Sequence, residues 1–254
     1  LKRLVIIPAF WEAENIIRTV EDVRKNAPTF DYVVINDCSG DDTSDICEKM
    51  NYNVVNLPVN SGIGAAVQAG YLYAKRYGYE TAIQVDGDGQ HDAGFLEKMA
   101  DELERSGADM VIGSRFLSKE GFQSSRLRRL GIRWFSGLIY ALTGRIVTDP
   151  TSGMRIVNRN VIRFFAEEYP KDYPEPETIV TLARLGYRVK EIPVAMRPRE
   201  GGSSSISVKR SIYYMIKVSL ACVIAAVSYR RYVERDFVPR RYDTKGKTEV
   251  PYES

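Results

Sequence analysis

The run Val85-Asp86-Gly87-Asp88-Gly89-Gln90-His91-Asp92 holds the residue types best suited to chemistry. Asp86 and Asp88 stand one residue apart at the end of an apolar stretch, and the neighbouring glycines leave the turn open. Hard carboxylate oxygens in this pattern suit Mg²⁺ or Mn²⁺ shared with a diphosphate. Gln90 offers a third oxygen. A metal held there neutralises charge on a departing phosphate as a Lewis acid. The alternative is a plain acidic turn or a calcium loop, but the glutamate that completes an EF-hand loop does not follow at the required spacing. His91 is the one histidine in the chain, so a multi-histidine metal site is excluded. It either meets a phosphate or packs.

Three more stretches pair polar groups with small residues. Pro8-Ala9-Phe10-Trp11-Glu12 is followed by Asn15. Glu12 can accept hydrogen bonds from a nucleobase or ribose, or can simply favour the first turn of a helix through the dipole. Asn36-Asp37-Cys38-Ser39-Gly40-Asp41-Asp42-Thr43 carries Asp37 toward the same edge, or is only a helix-capping turn. In Asn60-Ser61-Gly62-Ile63-Gly64-Ala65, Gly62 and Gly64 permit close backbone approach to a ligand.

Positioning these groups requires strands that end where they begin. Apolar runs at 4–10, 32–37, 53–57, 81–85 and 109–113 read as strands. Between them, helical spacing appears over 12–26, through Ile46 and Met50, over 64–77, and at Phe95, Leu96, Met99 and Leu103. The alternation predicts βαβ units and a mostly parallel sheet, with ligands bound beyond the carboxyl ends of its strands. The second half is less regular. It predicts helices over 127–142, 161–169 and 177–185, strands over 154–157 and 187–194, and flexible chain over 201–205. Three prolines predict a loop over 170–176. Residues 211–229 approach the ~20 residues of a membrane span, but Lys217 interrupts them and arginines follow. A helix lying on a membrane surface or docked on the protein is expected, with a polar tail from about 238.

The formal charge of +3 hides an asymmetry. Residues 197–245 hold eleven Lys or Arg against four Asp or Glu, +7 locally, which leaves −4 elsewhere. A second basic stretch, 115–133, carries six basic residues against Glu120. Such clusters suggest an anionic partner or are solvated faces. Three cysteines without CxxC spacing argue against a disulfide framework or thiolate zinc and suit a reducing cytoplasm. No secretory signal is visible.

Taken in order, these motifs resemble the inverting glycosyltransferases of family 2. The likeness runs through Gly113-Ser114-Arg115-Phe116 and Thr148-Asp149-Pro150-Thr151-Ser152-Gly153-Met154-Arg155, spanning about residues 4–205. Asn36 and Cys38 depart from the family's Asp-Asp-x-Ser turn, where Asp and commonly Gly stand. The stretch from Asp86 to Asp92 is most similar to the dolichyl-phosphate mannose synthase and polyprenyl-phosphate glycosyltransferase subgroup. The resemblance implies a GT-A fold with a Rossmann-like sheet over 1–205, divided into a donor half (1–116) and an acceptor half (117–205). An amphipathic helix at 206–236 and a tail at 237–254 would follow. It implies that Asp86, Asp88 and Gln90 hold the metal. Pro8, Ala9, Phe10, Glu12 and Asp37 would hold the nucleoside of a UDP, GDP or dTDP sugar, with Gly62, Gly64 and Arg115 near the donor.

Inverting transfer to a hydroxyl needs a general base, for which Asp149, Glu175 and Glu177 are candidates; Asp88 serves the leaving group. A lipid phosphate acceptor is already an anion and needs cations instead, such as Arg155, Arg197 or Arg199. The expectation is transfer to a lipid-linked acceptor in glycan synthesis, at the inner face of the cell membrane. The alternatives are a soluble enzyme acting on a saccharide or protein hydroxyl, and a non-catalytic nucleotide-sugar-binding subunit. A nucleotidyltransferase is disfavoured, because Phe10-Trp11-Glu12 stands where its basic glycine-rich loop belongs. No motif supports nucleic-acid binding. Residues 211–229 could equally form a contact in a homo-oligomer.

Overall fold

The computed structural model describes the backbone of residues 1–118, 126–197 and 208–233, with side chains over 1–118, 129–197 and 213–229. The apolar runs form β1 (Arg3–Ala9), β2 (Phe30–Asn36), β3 (Val54–Asn56), β4 (Thr81–Gln84), β5 (Met110–Ser114), β6 (Arg155–Asn158) and β7 (Val189–Pro193). They build one sheet in the order β3-β2-β1-β4-β6-β5-β7. β1 to β4 pair in parallel, as do β5 and β7. β6 runs antiparallel between β4 and β5. The carboxyl ends of β1, β2 and β4 therefore open on one edge, and Ala9 stands beside Asn36 in register.

β1 is apolar at successive positions because both of its faces are covered. Leu4 and Ile6 join one core cluster, and Val5 and Ile7 join the other. The first cluster takes in α3 (Ile63–Arg76), α5 (Arg126–Thr143), α6 (Arg159–Glu167), α7 (Pro174–Arg184) and α8 (Val208–Val233). The second takes in α1 (Ile16–Asn26), α2 (Thr43–Lys49) and α4 (Leu96–Ser106).

Two local expectations change, and one pair of alternatives is narrowed. The loop expected over 170–176 gives way to helix at Pro174, with Pro176 in the same first turn. Proline is tolerated there because the first N–H groups of a helix lack intrahelical partners anyway. α1 starts at Ile16, and residues 12–15 form a lead-in turn in which the Asn15 and Ile16 N–H groups donate to the Glu12 carbonyl at 2.9 and 2.8 Å. α8 docks on the protein by burying Val218, Cys222, Ala225 and Ala226. Burial pushes the Cys222 thiol up to about 12, as befits a packing residue. The outer face of α8 still exposes Tyr213, Ile216, Leu220, Val223, Ile224 and Val227. Among the described residues, no helix is long and apolar enough to cross a membrane. Residues 201–205 and the tail lie outside the described residues.

Candidate active site

A cavity of about 350 Å³ opens where β1, β2 and β4 end. Pro8, Ala9, Phe10 and Glu12 line it from the first strand end, Asp37 from the second, Gly62 from the start of α3, and Asp86 and Asp88 from the fourth. Motifs spread over some eighty residues of sequence thus converge because parallel strands share one carboxyl edge.

Each wall has its own fastening. The Asp37 N–H donates to the Ala9 carbonyl at 2.9 Å. The buried Asp37 carboxylate accepts from the Ser61 and Gly62 N–H groups, both at 2.8 Å. It therefore shapes the loop before α3 as well as facing the cavity. Gly62 has φ +85°, a conformation that glycine adopts without strain. Gly64 lies behind the wall. Its N–H meets the Lys171 carbonyl, and a Cβ there would sit 2.2 Å from the Pro170 carbonyl oxygen. Only glycine lets α3 and the 170–171 segment approach this closely.

In the acidic turn, Asp86 Oδ1 accepts from Gln84 Nε2 at 2.8 Å, and the Asp86 N–H donates to His91 Nδ1 at 3.0 Å. His91 is buried, so it braces the turn from beneath. The Gln90 N–H donates to Asp88 Oδ1 at 3.0 Å, and the Gln90 carbonyl accepts from the Arg197 N–H at 2.9 Å. Among the described residues, no three His, Cys, Asp or Glu side chains form a group that could hold a metal. Two carboxylates on an open cavity fit a different kind of site. Mg²⁺ is commonly held by one or two carboxylates, with substrate phosphates and water completing its shell.

Arg115 and Asp149 come together across 34 positions of sequence. Arg115 Nε donates to Asp149 Oδ2 at 2.6 Å and Nη2 to Oδ1 at 2.7 Å, and the Arg115 N–H also meets Oδ2 at 3.1 Å. Asp149 is 0% exposed. Its carboxylate is committed to a two-point ion pair, a strong arrangement. Beneath the pair lies Glu191, which sequence reasoning did not single out. Its carboxylate accepts from the Thr148 and Asp149 N–H groups at 2.7 and 2.8 Å. Burial pushes the Glu191 carboxyl above the ordinary range, and those N–H groups oppose the shift. Nothing local marked it, because Lys190 and Glu191 stand side by side in β7 and read as an ordinary polar stretch of an edge strand.

The two glutamates of α7 part company. Glu175 is half-buried. Burial raises its carboxyl above the ordinary range, while Arg155 opposes that and Asp86 adds to it. Glu177 turns elsewhere. Burial raises its carboxyl too, and its charge acts on the Cys222 thiol of α8. Arg155 is buried and fully engaged. It donates to the carbonyls of Ser152, Pro150 and Glu175 and to Thr178 Oγ1 at 2.7–2.9 Å, tying the 150–152 turn to α7. It is no free cation for an acceptor. Arg197 pairs with Asp22 and Asp92 at 2.9 and 2.8 Å and clasps the acidic turn. Arg199 lies outside the described residues.

The family model described as glycosyl transferase family 2 matches residues 4–165. The chain belongs to that family. Among relatives of this family-2 chain, the undecaprenyl-phosphate mannosyltransferase of Micrococcus luteus is 29% identical over 82% of this chain and 88% of its own. The polyprenol monophosphomannose synthase of Mycolicibacterium smegmatis is 28% identical over 86% of each chain. A solved structure of Mycobacterium tuberculosis glucosyl-3-phosphoglycerate synthase with Mn²⁺ and UDP-glucose aligns with TM-score 0.69 at 18% identity. It covers 89% of this chain and 79% of that one. The likeness is one of fold, and the GT-A arrangement expected from the motifs holds.

Proposed function

We propose that this family-2 glycosyltransferase moves a hexosyl group, with inversion, from a UDP, GDP or dTDP sugar to a lipid-linked phosphate acceptor. The observation that carries the acceptor class is a second cavity of about 470 Å³, lined by Phe116, Arg129, Leu130, Ile132, Arg133 and Thr148. Phe116 and Thr148 each adjoin a member of the Arg115–Asp149 pair. The turn that begins at Thr148 reaches the donor side at Gly153, whose Cβ position lies 3.1 Å from Asp86 Oδ2. Two arginines suit a phosphate. Apolar walls, continued outward by Leu130 and Trp134 at 65% and 55% exposure, suit a hydrocarbon tail. The bacterial relatives, an undecaprenyl-phosphate mannosyltransferase and a polyprenol monophosphomannose synthase, support the same class.

In this reading Pro8, Ala9, Phe10, Glu12 and Asp37 receive the nucleoside, and Gly62 keeps its wall open. Asp86 and Asp88, with Gln90, would hold Mg²⁺ or Mn²⁺ against the diphosphate. That metal, when bound, supplies Lewis-acid neutralisation of the leaving group. An acceptor phosphate oxygen attacks the anomeric carbon as the bond to the diphosphate breaks, and the nucleoside diphosphate leaves with the electron pair. The nucleophile arrives as an anion, so no base is required, and Asp149 stays with Arg115 as a brace. The outer face of α8 beside Lys217 would lie along the cytoplasmic membrane surface. Residues 201–233 contain no acid and five basic residues, which favours anionic lipid.

A second reading, transfer to a saccharide or protein hydroxyl, has one observation behind it. Glu175, with its raised carboxyl in the field of Asp86, has the character of a general base. The readings separate when purified protein, Mn²⁺ and labelled nucleotide sugars are offered undecaprenyl phosphate or soluble saccharides. Label in the organic phase is expected. Label passing only to a saccharide would overturn the lipid-phosphate reading in favour of the second.

A further inference from the structure

Three consecutive backbone N–H groups, those of Trp11, Glu12 and Ala13, precede α1 and have no helical partner. Backbone donors drawn away from water need partners from elsewhere. Here all three are taken by side chains of the turn after β2. Trp11 N–H donates to Ser39 Oγ at 3.1 Å, Glu12 N–H to Thr43 Oγ1 at 3.0 Å, and Ala13 N–H to Asp41 Oδ2 at 3.2 Å. The hydroxyls are themselves oriented. Thr43 Oγ1 donates to Asp41 Oδ1 and Ser39 Oγ to Asn36 Oδ1, both at 2.5 Å, which leaves their lone pairs facing the 11–13 backbone. Thr43 is fully buried. The Trp11 ring lies over Gly40, with its Cζ2 3.2 Å from where a Cβ would stand. Trp11 itself holds φ +60°, uncommon outside glycine, so this backbone needs outside support to persist.

The segment held in this way carries Phe10 and Glu12 into the donor cavity. Glu12 also reaches the acidic turn, its Cγ standing 3.2 Å from the Cβ position of Gly87, between Asp86 and Asp88. We propose that Ser39, Asp41 and Thr43 form a buckle that sets residues 10–13 in the shape that receives the nucleoside diphosphate. They are positioning residues acting through the backbone, not ligands of the donor. The inference rests on the donor-site reading above. It divides the turn between two tasks: Asp37 faces the cavity, and the three residues beyond it fix the opposite wall.

Thr43→Val keeps the shape of the side chain and removes both hydrogen bonds, whereas Thr43→Ser keeps them. Titration calorimetry with UDP, GDP and dTDP in Mn²⁺, together with steady-state kinetics, reads the effect. Thr43→Val is expected to weaken nucleotide binding and raise the donor KM about tenfold, the scale of one part-buried N–H left without its acceptor. kcat and the acceptor KM should change less than about twofold, and Thr43→Ser should restore most of the loss. If circular dichroism shows that Thr43→Val does not fold, Ser39→Ala, at a half-buried position, is read in its place and should shift donor KM in the same direction. A folded Thr43→Val or Ser39→Ala protein that binds nucleotide like the wild type overturns the buckle alone. A loss confined to kcat also overturns it. Wild-type protein that binds none of the three diphosphates overturns the donor-site reading, and the buckle's purpose with it.

Discussion

Replacing Asp149 with Asn separates a brace from a catalytic base. In the native structure Arg115 is 7% exposed and meets Asp149 through two side-chain bonds of 2.6 and 2.7 Å. An amide keeps one acceptor and turns its NH₂ toward a donor, so at least one bond is lost and the buried cation loses its two-point carboxylate partner. Each hydrogen bond to a charged group contributes about 1.5–3 kcal/mol. Breaking a buried pair from one side costs about 3–5 kcal/mol. That is a large share of the ~5–15 kcal/mol that holds a domain folded. Thr151 Oγ1, which already accepts from Arg115 Nη2 at 3.0 Å, is retained, so the low end of the cost of breaking the pair, about 3 kcal/mol, is expected. Urea unfolding followed by circular dichroism measures it. The double variant Arg115→Met, Asp149→Leu removes both charges of the pair and should recover part of the stability, while the Arg115 N–H loses its acceptor, Asp149 Oδ2. A general base would behave differently: Asp149→Asn would cut turnover steeply and leave stability almost untouched. Loss of less than about 1 kcal/mol, with turnover abolished, would refute the brace.

Asp88→Asn should lower transfer at least a hundredfold, on the order of 3 kcal/mol of transition-state stabilisation, with the fold retained; a near-normal initial rate would sink the metal site. For Glu177, burial raises the folded carboxyl above its unfolded value. Its favourable contribution is therefore present at pH below the unfolded carboxylate range and is lost as pH rises through the folded value. Glu177→Gln should accordingly gain stability on the wild type between pH 4 and 7, by less than about 1 kcal/mol because the group is partly solvated; a gain that grows toward acid would contradict the sign.

The convergence of the proposed donor residues on one cavity was legible in the sequence because its signals are local. Apolar runs at Val5, Val34 and Ile83 each end in a polar turn, and alternation with helices requires parallel pairing, which brings every such turn to one edge. Glu12, Asp37, Asp86 and Asp88 could therefore be placed together without coordinates. What periodicity cannot carry is register between distant segments. β6 enters antiparallel between β4 and β5, and this insertion sets Asp149 on Arg115 and the Thr148 turn on Glu191. Neighbouring positions on α7 likewise look equivalent in sequence, yet Glu175 lies in the field of Arg155 and Asp86 while Glu177 acts on Cys222. A helix turns about 100° per residue, so two positions along its axis lie on opposite sides, and only packing against α8 decides which side meets the site. The chain by itself determined which edge of the sheet gathers the polar turns proposed to do the chemistry. The tertiary structure decided which charges are spent holding that edge in shape, because their partners lie tens of residues away and are chosen by packing.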